Sequence, residues 1–313
     1  MPTRRSVLAA AVAAPFALAS PGRAAALDQS ETGVRFCLNM STVRGQKLTV
    51  PEQIALAADT GYDGIEPWLR DIDAYVAGGG TLAELKHQID DSGLRVESAI
   101  GFAKWIVEDD AERKAGLDQL RKDAATLAAI GGTHIAAPPI GAHQAEAAKV
   151  NLDAVAERFA AAIDVADTEG VLPQIEVWGF SPNLSKLAEV MYVATAVGDE
   201  RVRVLPDIYH LYKGQNDYAS VAMLPGRMVS CFHLNDIARR FTPDVAKDAD
   251  RVYPGEGDMP IAHVLELMAA SGFAGALSLE LFNPAYWEQP AASVASRGLE
   301  SMKRVAREAG LIG

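Results

Sequence analysis

Residues 172–208 read LPQIEVWGFSPNLSKLAEVMYVATAVGDERVRVLPDI. A short, mostly apolar run (LPQIEVW) leads into the Ala/Leu-rich amphipathic stretch Leu184–Val197, and a second short run from Val202 ends at Asp207. Two strand-like runs joined by a helical stretch form a β-α-β unit. The helical crossover returns the chain to the same end of the sheet, so the two strands must run parallel. The same alternation extends in both directions. Strand-like runs begin near Arg35, Gly64, Arg95, Thr133, Leu172, Val202, Met228 and Gly275, eight in all. Amphipathic stretches separate them at Pro51–Thr60, Leu82–Ser92, Ala111–Ile130, Ala147–Glu169, Leu184–Val197 and Ile261–Ser271, and a helix at about Ala291–Ala309 closes the chain. Asp71–Gly80 and Arg240–Pro260 read as loop insertions. Eight such units predict an α/β protein: a (β/α)8 TIM barrel in a single domain, with its chemistry at the C-terminal ends of the strands. An open doubly wound sheet is the competitor, but no G-x-G-x-x-G opens a helix and there is no P-loop.

Composition agrees with one large core. The 313 residues are 49% hydrophobic and 22% charged, which excludes a disordered chain. There are 29 Lys plus Arg against 41 Asp plus Glu, a net charge of −12, so phosphate backbones and anionic lipid surfaces are poor partners. Cys37 and Cys231 are too few for a disulfide framework or a Cys-rich zinc module.

Residues 1–26, MPTRRSVLAAAVAAPFALASPGRAAA, read as a cleaved export signal. Arg4-Arg5 precede an apolar run from Val7 to Ala19 that is too short to span a bilayer, and small residues end at Ala26. Thr3–Leu8 resembles the twin-arginine pattern, although an ordinary secretory signal has the same outline. Removing three arginines and no acid takes the charge to 26 − 41 = −15. The expected mature protein is residues 27–313, one barrel located in the periplasm and free of the membrane. Export in a folded state would also allow a metal to be loaded before the chain meets stronger-binding ions outside.

Charged residues at the strand ends suggest the chemistry. Glu176 lies inside the apolar fifth strand, Asp207 ends the sixth, His233 lies inside the seventh and Glu280 inside the eighth. A lone polar group on a buried barrel strand is costly unless paired, protonated or coordinated. Taken singly, Asp207 reads equally as a helix N-cap, His233 as a satisfied core histidine, and the two glutamates as ion-pair partners. Together, on four successive strands, they read as ligands of one divalent ion. Three carboxylates and an imidazole suit Mn²⁺ first, and Mg²⁺, Co²⁺ or Zn²⁺ as well. The four tryptophans, Trp68, Trp105, Trp178 and Trp287, all fall at or just past strand ends. They read as apolar faces for a sugar ring or, equally, as loop anchors. Glu66 ends the second strand as a contact to a substrate hydroxyl or as an ion-pair partner. His134, at the wrong end of its strand, reads as structural; His87, His263 and His143 read as surface residues.

The stretches IEVWGF (175–180), PDIYHLYKG (206–214), FHLNDIARR (232–240), YPGEGDMP (253–260) and LSLELFNPAYW (277–287), in that order, resemble the xylose-isomerase-like barrel superfamily. The branch is that of hydroxypyruvate isomerase, the tagatose/psicose 3-epimerases and the inosose isomerases. The resemblance implies Glu176, Asp207, His233 and Glu280 as metal ligands and His210 and Arg239 as holders of substrate oxygens. The acid that family members commonly carry shortly after the fifth-strand glutamate is absent from Trp178–Pro182. The implied reaction is metal-assisted proton abstraction beside the carbonyl of a keto sugar or polyol-derived ketone, through an enediolate. Glu176 and Glu280, on facing strands, are the expected acid/base pair.

The same enediolate would expel a leaving group from the next carbon, so a lyase or dehydratase acting on a keto-inositol or 3-keto-glycoside is the alternative. A non-catalytic sugar-binding module is a further reading. An apurinic-site endonuclease would need additional histidines on the second and third strands, which end Glu66-Pro67-Trp68 and Gly101-Phe102-Ala103. The partner is therefore expected to be a small sugar or polyol; the sequence leaves room for a homodimer.

Overall fold

The computed structural model describes residues 33–238 and 240–313, and the export signal expected at 1–26 lies outside them. Residues 33–313 form one compact unit. Ten strands appear in chain order: β1 (Arg35–Asn39), β2 (Gly64–Glu66), β3 (Arg95–Val96), β4 (His134–Ala137), β5 (Leu172–Glu176), β6 (Arg203–Leu205), β7 (Cys231–Leu234), β8 (Asp236–Ile237), β9 (Arg251–Val252) and β10 (Ala276–Leu279). Parallel pairing gives one sheet in the order β3-β2-β1-β10-β7 and another in the order β4-β5-β6. Backbone hydrogen bonds join these sheets at both seams. Ala99 N donates to His134 O (3.1 Å) and Ala136 N to Ala99 O (2.9 Å), while His233 N donates to Pro206 O (3.0 Å) beside the Asp207–His233 bridge. The cyclic order β1-β2-β3-β4-β5-β6-β7-β10 is the TIM barrel expected from eight β-α units. β8, which directly follows β7, pairs antiparallel with β9, and only β9 lies inside the Arg240–Pro260 stretch expected to be a loop insertion.

The helices start and stop where the sequence carries signals for doing so. Thr49 with Glu52, and Thr81 with Glu84, form capping boxes that satisfy otherwise orphaned N–H groups at the starts of Val50–Thr60 and Leu82–Ser92. Gly61 (φ 83°) and Gly93 (φ 69°) end the same two helices in the left-handed region. The closing helix Ala291–Glu308 buries Val294, Leu299, Met302 and Val305 against the barrel. A Cβ on its Gly298 would stand 2.2 Å from Leu279 Cδ2, so any larger residue would have to displace the Leu279 side chain of β10.

Two expectations are corrected. Asp71–Gly80 is not a loop: residues Leu69–Ala77 form a helix that buries Leu69 and Ile72, and only the Gly78–Gly80 tail is irregular. Its Gly78-Gly79-Gly80 tail reads as a loop signal, and only two of the helix residues reach the core. The helix expected from Ala147 starts instead at Leu152, because Asn151 caps it and Asn183 holds the preceding backbone through Val150 N and Ala148 O.

A buried acid on the outer layer gives a pH-dependent prediction. Asp123, 5% exposed on the helix Asp110–Ala129, has its carboxyl pushed up to about 6 by burial, which the hydrogen bond from Gln119 (2.6 Å) offsets only in part. The native state therefore holds a proton that the unfolded chain has lost, and stability falls as pH rises from about 4 to 6. Asp123→Asn removes this loss and should stabilise the protein by about 1–3 kcal/mol at pH 7 relative to its effect at pH 4. Thermal unfolding of both proteins across this range measures it; a pH-independent difference would refute the assignment.

Candidate metal centre

Position 233 on β7 faces into the barrel, and the strand register carries its imidazole toward three carboxylates. His233 is fully buried. Its Nε2 lies 3.0 and 3.1 Å from the two oxygens of Glu66, which ends β2. Glu66 also accepts from Asn39 Nδ2 (2.8 Å) and Ser278 Oγ (2.7 Å), so four side chains fix one another. The opposite nitrogen, Nδ1, is buried and has no hydrogen-bond partner. It looks toward Glu280 Oε2 at 3.3 Å, Glu176 Oε1 at 3.9 Å and Asp207 Oδ2 at 3.9 Å. Glu176, Asp207 and His233 offer ligand atoms that all lie within 4.8 Å of one another.

This donor set fits a divalent cation. An imidazole whose far nitrogen is anchored on a carboxylate presents its other nitrogen in a fixed direction, the usual arrangement of a metal-binding histidine. Glu66, Glu176, Asp207 and Glu280 bring four carboxyl groups, and among the described residues Arg251 is the one guanidinium bonded to them, so acids outnumber bases at the centre when His233 is neutral. The same crowding shifts the ionisations. Burial opposes a charge on His233, but Glu280 and Glu66 outweigh it and raise the imidazole well above its ordinary value. Burial, reinforced by Glu280 and Asp207, pushes the Glu176 carboxyl well up. Asp207 goes the other way: burial is overcome by Arg251, His210 and His233, which hold it below the usual carboxylate range.

The competing readings of Asp207 turn out to be compatible. Its Oδ1 accepts from Tyr209 N (2.7 Å), capping the helix Ile208–Lys213, and from Asn235 Nδ2 (3.1 Å). Its Oδ2 is left for the centre, where Arg251 Nη1 donates to it (2.9 Å). Glu280 lies just past the end of β10; its Oε2 accepts from the same Nη1 (2.8 Å) and its Oε1 from Asn39 Nδ2 (3.3 Å).

Arg251 is the residue that sequence reasoning missed. It is 1% exposed, and its Nη2 also donates to Asp248 Oδ1 (2.6 Å), while its guanidinium stacks 4.2 Å from the Tyr209 ring centroid. It comes from the Arg240–Pro260 insertion, where nothing in the local pattern marks it. Asp236 holds that insertion in place: its carboxylate accepts from Ile237 N, Gly255 N, Gly257 N and Met259 N at 2.8–3.1 Å. At Gly257 a Cβ would stand 2.0 Å from Ile237 O, so the turn closes only around glycine. Asp236→Ala should cost about 3 kcal/mol, since four backbone donors, three of them buried, lose their acceptor. A denaturant midpoint unchanged from the natural protein would contradict this anchoring role.

The other expected site residues divide into two groups. His210 lines the cleft above the centre, is nearly fully buried, and is pushed down to about 4, by burial first and by Arg251. Its neutral ring has a buried, unpartnered Nδ1 and its Nε2 is 3.8 Å from Asp207 Oδ2. Trp68 and Trp178 also line the cleft, which encloses about 560 Å³ including its open mouth. Trp105 does not: it is wholly buried, donates to Pro138 O (3.0 Å) and packs on Phe159, which makes it a loop anchor. Trp287 packs over Gly45 and donates to Ser41 O (3.2 Å). Glu66 is sealed behind His233 and does not line the cleft. Arg239 lies outside the described residues. His143, expected at the surface, is half-buried edge-on against Trp178 at 5.2 Å. His134, as expected, sits at the opposite end of the barrel, bound to Ser230 Oγ (2.9 Å).

Comparison with known proteins identifies the family and its fold. The family model for the xylose isomerase-like TIM barrel matches residues 54–305. The inosose isomerase of Halalkalibacterium halodurans is 21% identical over 260 residues, which cover 82% of this chain and 90% of that protein. A 3-dehydroshikimate dehydratase of Pseudomonas putida is 21% identical over 81% of this chain and 39% of its own length. In fold, the chain is similar to the crystal structure of an IolI protein with a bound zinc atom, with a TM-score of 0.80 and 18% identity over 88% of this chain and 99% of that one. With a match that runs from the first helix to the last, the chain belongs to the xylose isomerase-like TIM barrel family.

Proposed function

We propose that this protein is a divalent-metal-dependent isomerase or epimerase acting on a keto sugar or polyol-derived ketone. The observation that carries the reading is the buried, unpartnered His233 Nδ1 facing Glu176, Asp207 and Glu280 at the floor of a cleft. These four side chains would hold the ion, with Mn²⁺ the first choice for a mostly oxygen donor set. When bound, the ion would stabilise the negative charge that develops on the substrate carbonyl oxygen. The chain supplies the remaining functions. His210, neutral and in the cleft wall, donates to a substrate oxygen. Arg251 fixes the orientation of Asp207 and Glu280. Glu176 and Glu280 both line the cleft and exchange the proton on the carbon beside the carbonyl. Two carboxylates in unlike surroundings, one buried among acids and one tied to a guanidinium, are suited to opposite roles in that exchange.

The relatedness to dehydratases supports a second reading in which the same proton removal is followed by loss of a group from the next carbon. The two are separated by mass. Chelator-treated protein is incubated with an inosose or a ketohexose, with and without added Mn²⁺, and the products are separated from substrate by chromatography and weighed by mass spectrometry. Equal-mass, Mn²⁺-dependent conversion is expected; loss of water would select the dehydratase, and no conversion with any ion would defeat both. Residues 1–26 support a periplasmic location, which detection of the processed protein in the periplasmic fraction would test.

A further inference from the structure

The upper part of the cleft does not match the lower. Four polar lining groups lie deep: Glu176, His210, Arg251 and Glu280 are each 1–5% exposed, while the Asp248 carboxylate, 45% exposed, lines the wall nearer solvent. Apart from Asp248, the exposed part of the wall among the described residues is apolar. Phe102 and Phe180 are 40% and 39% exposed, the two phenylalanines among the exposed large apolar side chains of the described residues, and both line this cleft. Each is backed by a cleft tryptophan: Phe102 lies 5.3 Å from Trp68 and Phe180 lies 5.0 Å from Trp178, centroid to centroid. The first pair stands past the ends of β2 and β3, and the second past β5. The two aromatic groups therefore approach the mouth from different parts of the ring.

A free ketose or inosose carries a hydroxyl on nearly every carbon. Those at the bottom meet carboxylates, an imidazole and a guanidinium, while those nearer solvent meet the exposed rings of Phe102 and Phe180. Hydroxyls desolvated against those rings lose hydrogen bonds to water, and among the described lining residues only Asp248 is a polar partner near solvent. An exposed apolar surface continuous with a reaction site is better covered by an apolar group. We infer that the mouth is a subsite for a planar apolar group carried by the substrate, making the ligand a hydroxylated ketone ring joined to an aromatic or similar substituent. This rests on the proposed function for the floor of the cleft and adds the class of substrate that reaches its mouth.

The test compares the dissociation constants of phenyl β-D-glucopyranoside and methyl β-D-glucopyranoside on the Mn²⁺-loaded protein by calorimetry. Neither probe has a ketone, so no turnover intervenes. The phenyl compound should bind about tenfold tighter, a difference of about 1.4 kcal/mol. Phe102→Ala and Phe180→Ala should each bring the ratio toward one. Phe102→Leu and Phe180→Leu, which keep an apolar side chain without a ring, should lower it in the same way and guard against misfolding of the alanine variants. Equal affinities, no binding of the phenyl compound at millimolar concentration, or a ratio that survives all four substitutions would overturn the inference. If the ratio fails while Mn²⁺-dependent conversion of an unsubstituted ketone is observed, only the subsite falls. If the ratio holds and no ketone is converted, the proposed reaction falls instead.

Discussion

Replacing Arg251 with methionine should destabilise the chelator-treated protein by about 3–5 kcal/mol, the range observed when one partner of a buried ion pair is removed. Met has a similar reach and no charge, so the packing over Tyr209 is largely kept while Asp207 Oδ2 and Glu280 Oε2 lose their shared donor. The two carboxylates then face each other, with Glu176 nearby, in a region where each is at most 5% exposed. At about 2–4 °C per kcal/mol for a chain of this size, the thermal midpoint should fall by about 10 °C. A divalent ion that binds the native state adds stability by mass action and should therefore rescue the variant more than the natural protein, because it supplies the missing positive charge. Calorimetric scans with chelator and with excess Mn²⁺ measure both effects. A variant as stable as the natural protein in chelator would show that the guanidinium is not the counter-charge of this centre.

The second large effect concerns activity. Glu176→Gln keeps the shape and one acceptor oxygen of the side chain but removes its ability to take up a proton, and should lower kcat/KM by about 10²–10⁴-fold. Its stability should move in the opposite direction or not at all. Burial pushes the Glu176 carboxyl well up, so at neutral pH the folded protein holds an ionised group with difficulty, and a neutral amide removes that strain. Loss of activity together with an unchanged or raised thermal midpoint separates a chemical role from a structural one. Near-normal turnover in this variant would remove Glu176 from the acid/base pair.

Much of the architecture was legible because strand and helix identity is a local property. The β-α alternation and the closing helix were readable from neighbours within a few positions. The short helix Leu69–Ala77 was not, since only two of its residues reach the core. The tryptophans show the same limit more sharply. All four fall at strand ends in sequence, yet Trp68 and Trp178 turn into the cleft while Trp105 turns into the core. Strand-end placement sets where a Cα lies and leaves the direction of a large side chain to the loop that follows.

From its sequence alone this chain declared itself a barrel with Glu176, Asp207, His233 and Glu280 on its last four barrel strands. A charge on a buried strand is too costly to be incidental, and the period of the strand sets which way it points. What surrounds those four was decided only by the tertiary structure. Glu66 reaches His233 across 167 residues, and Arg251 reaches Asp207 from an insertion that Asp236 pins over the barrel mouth. Such contacts arise when the ring of strands closes and a long loop folds back on it, and no local spacing in the sequence encodes the meeting of residues so far apart.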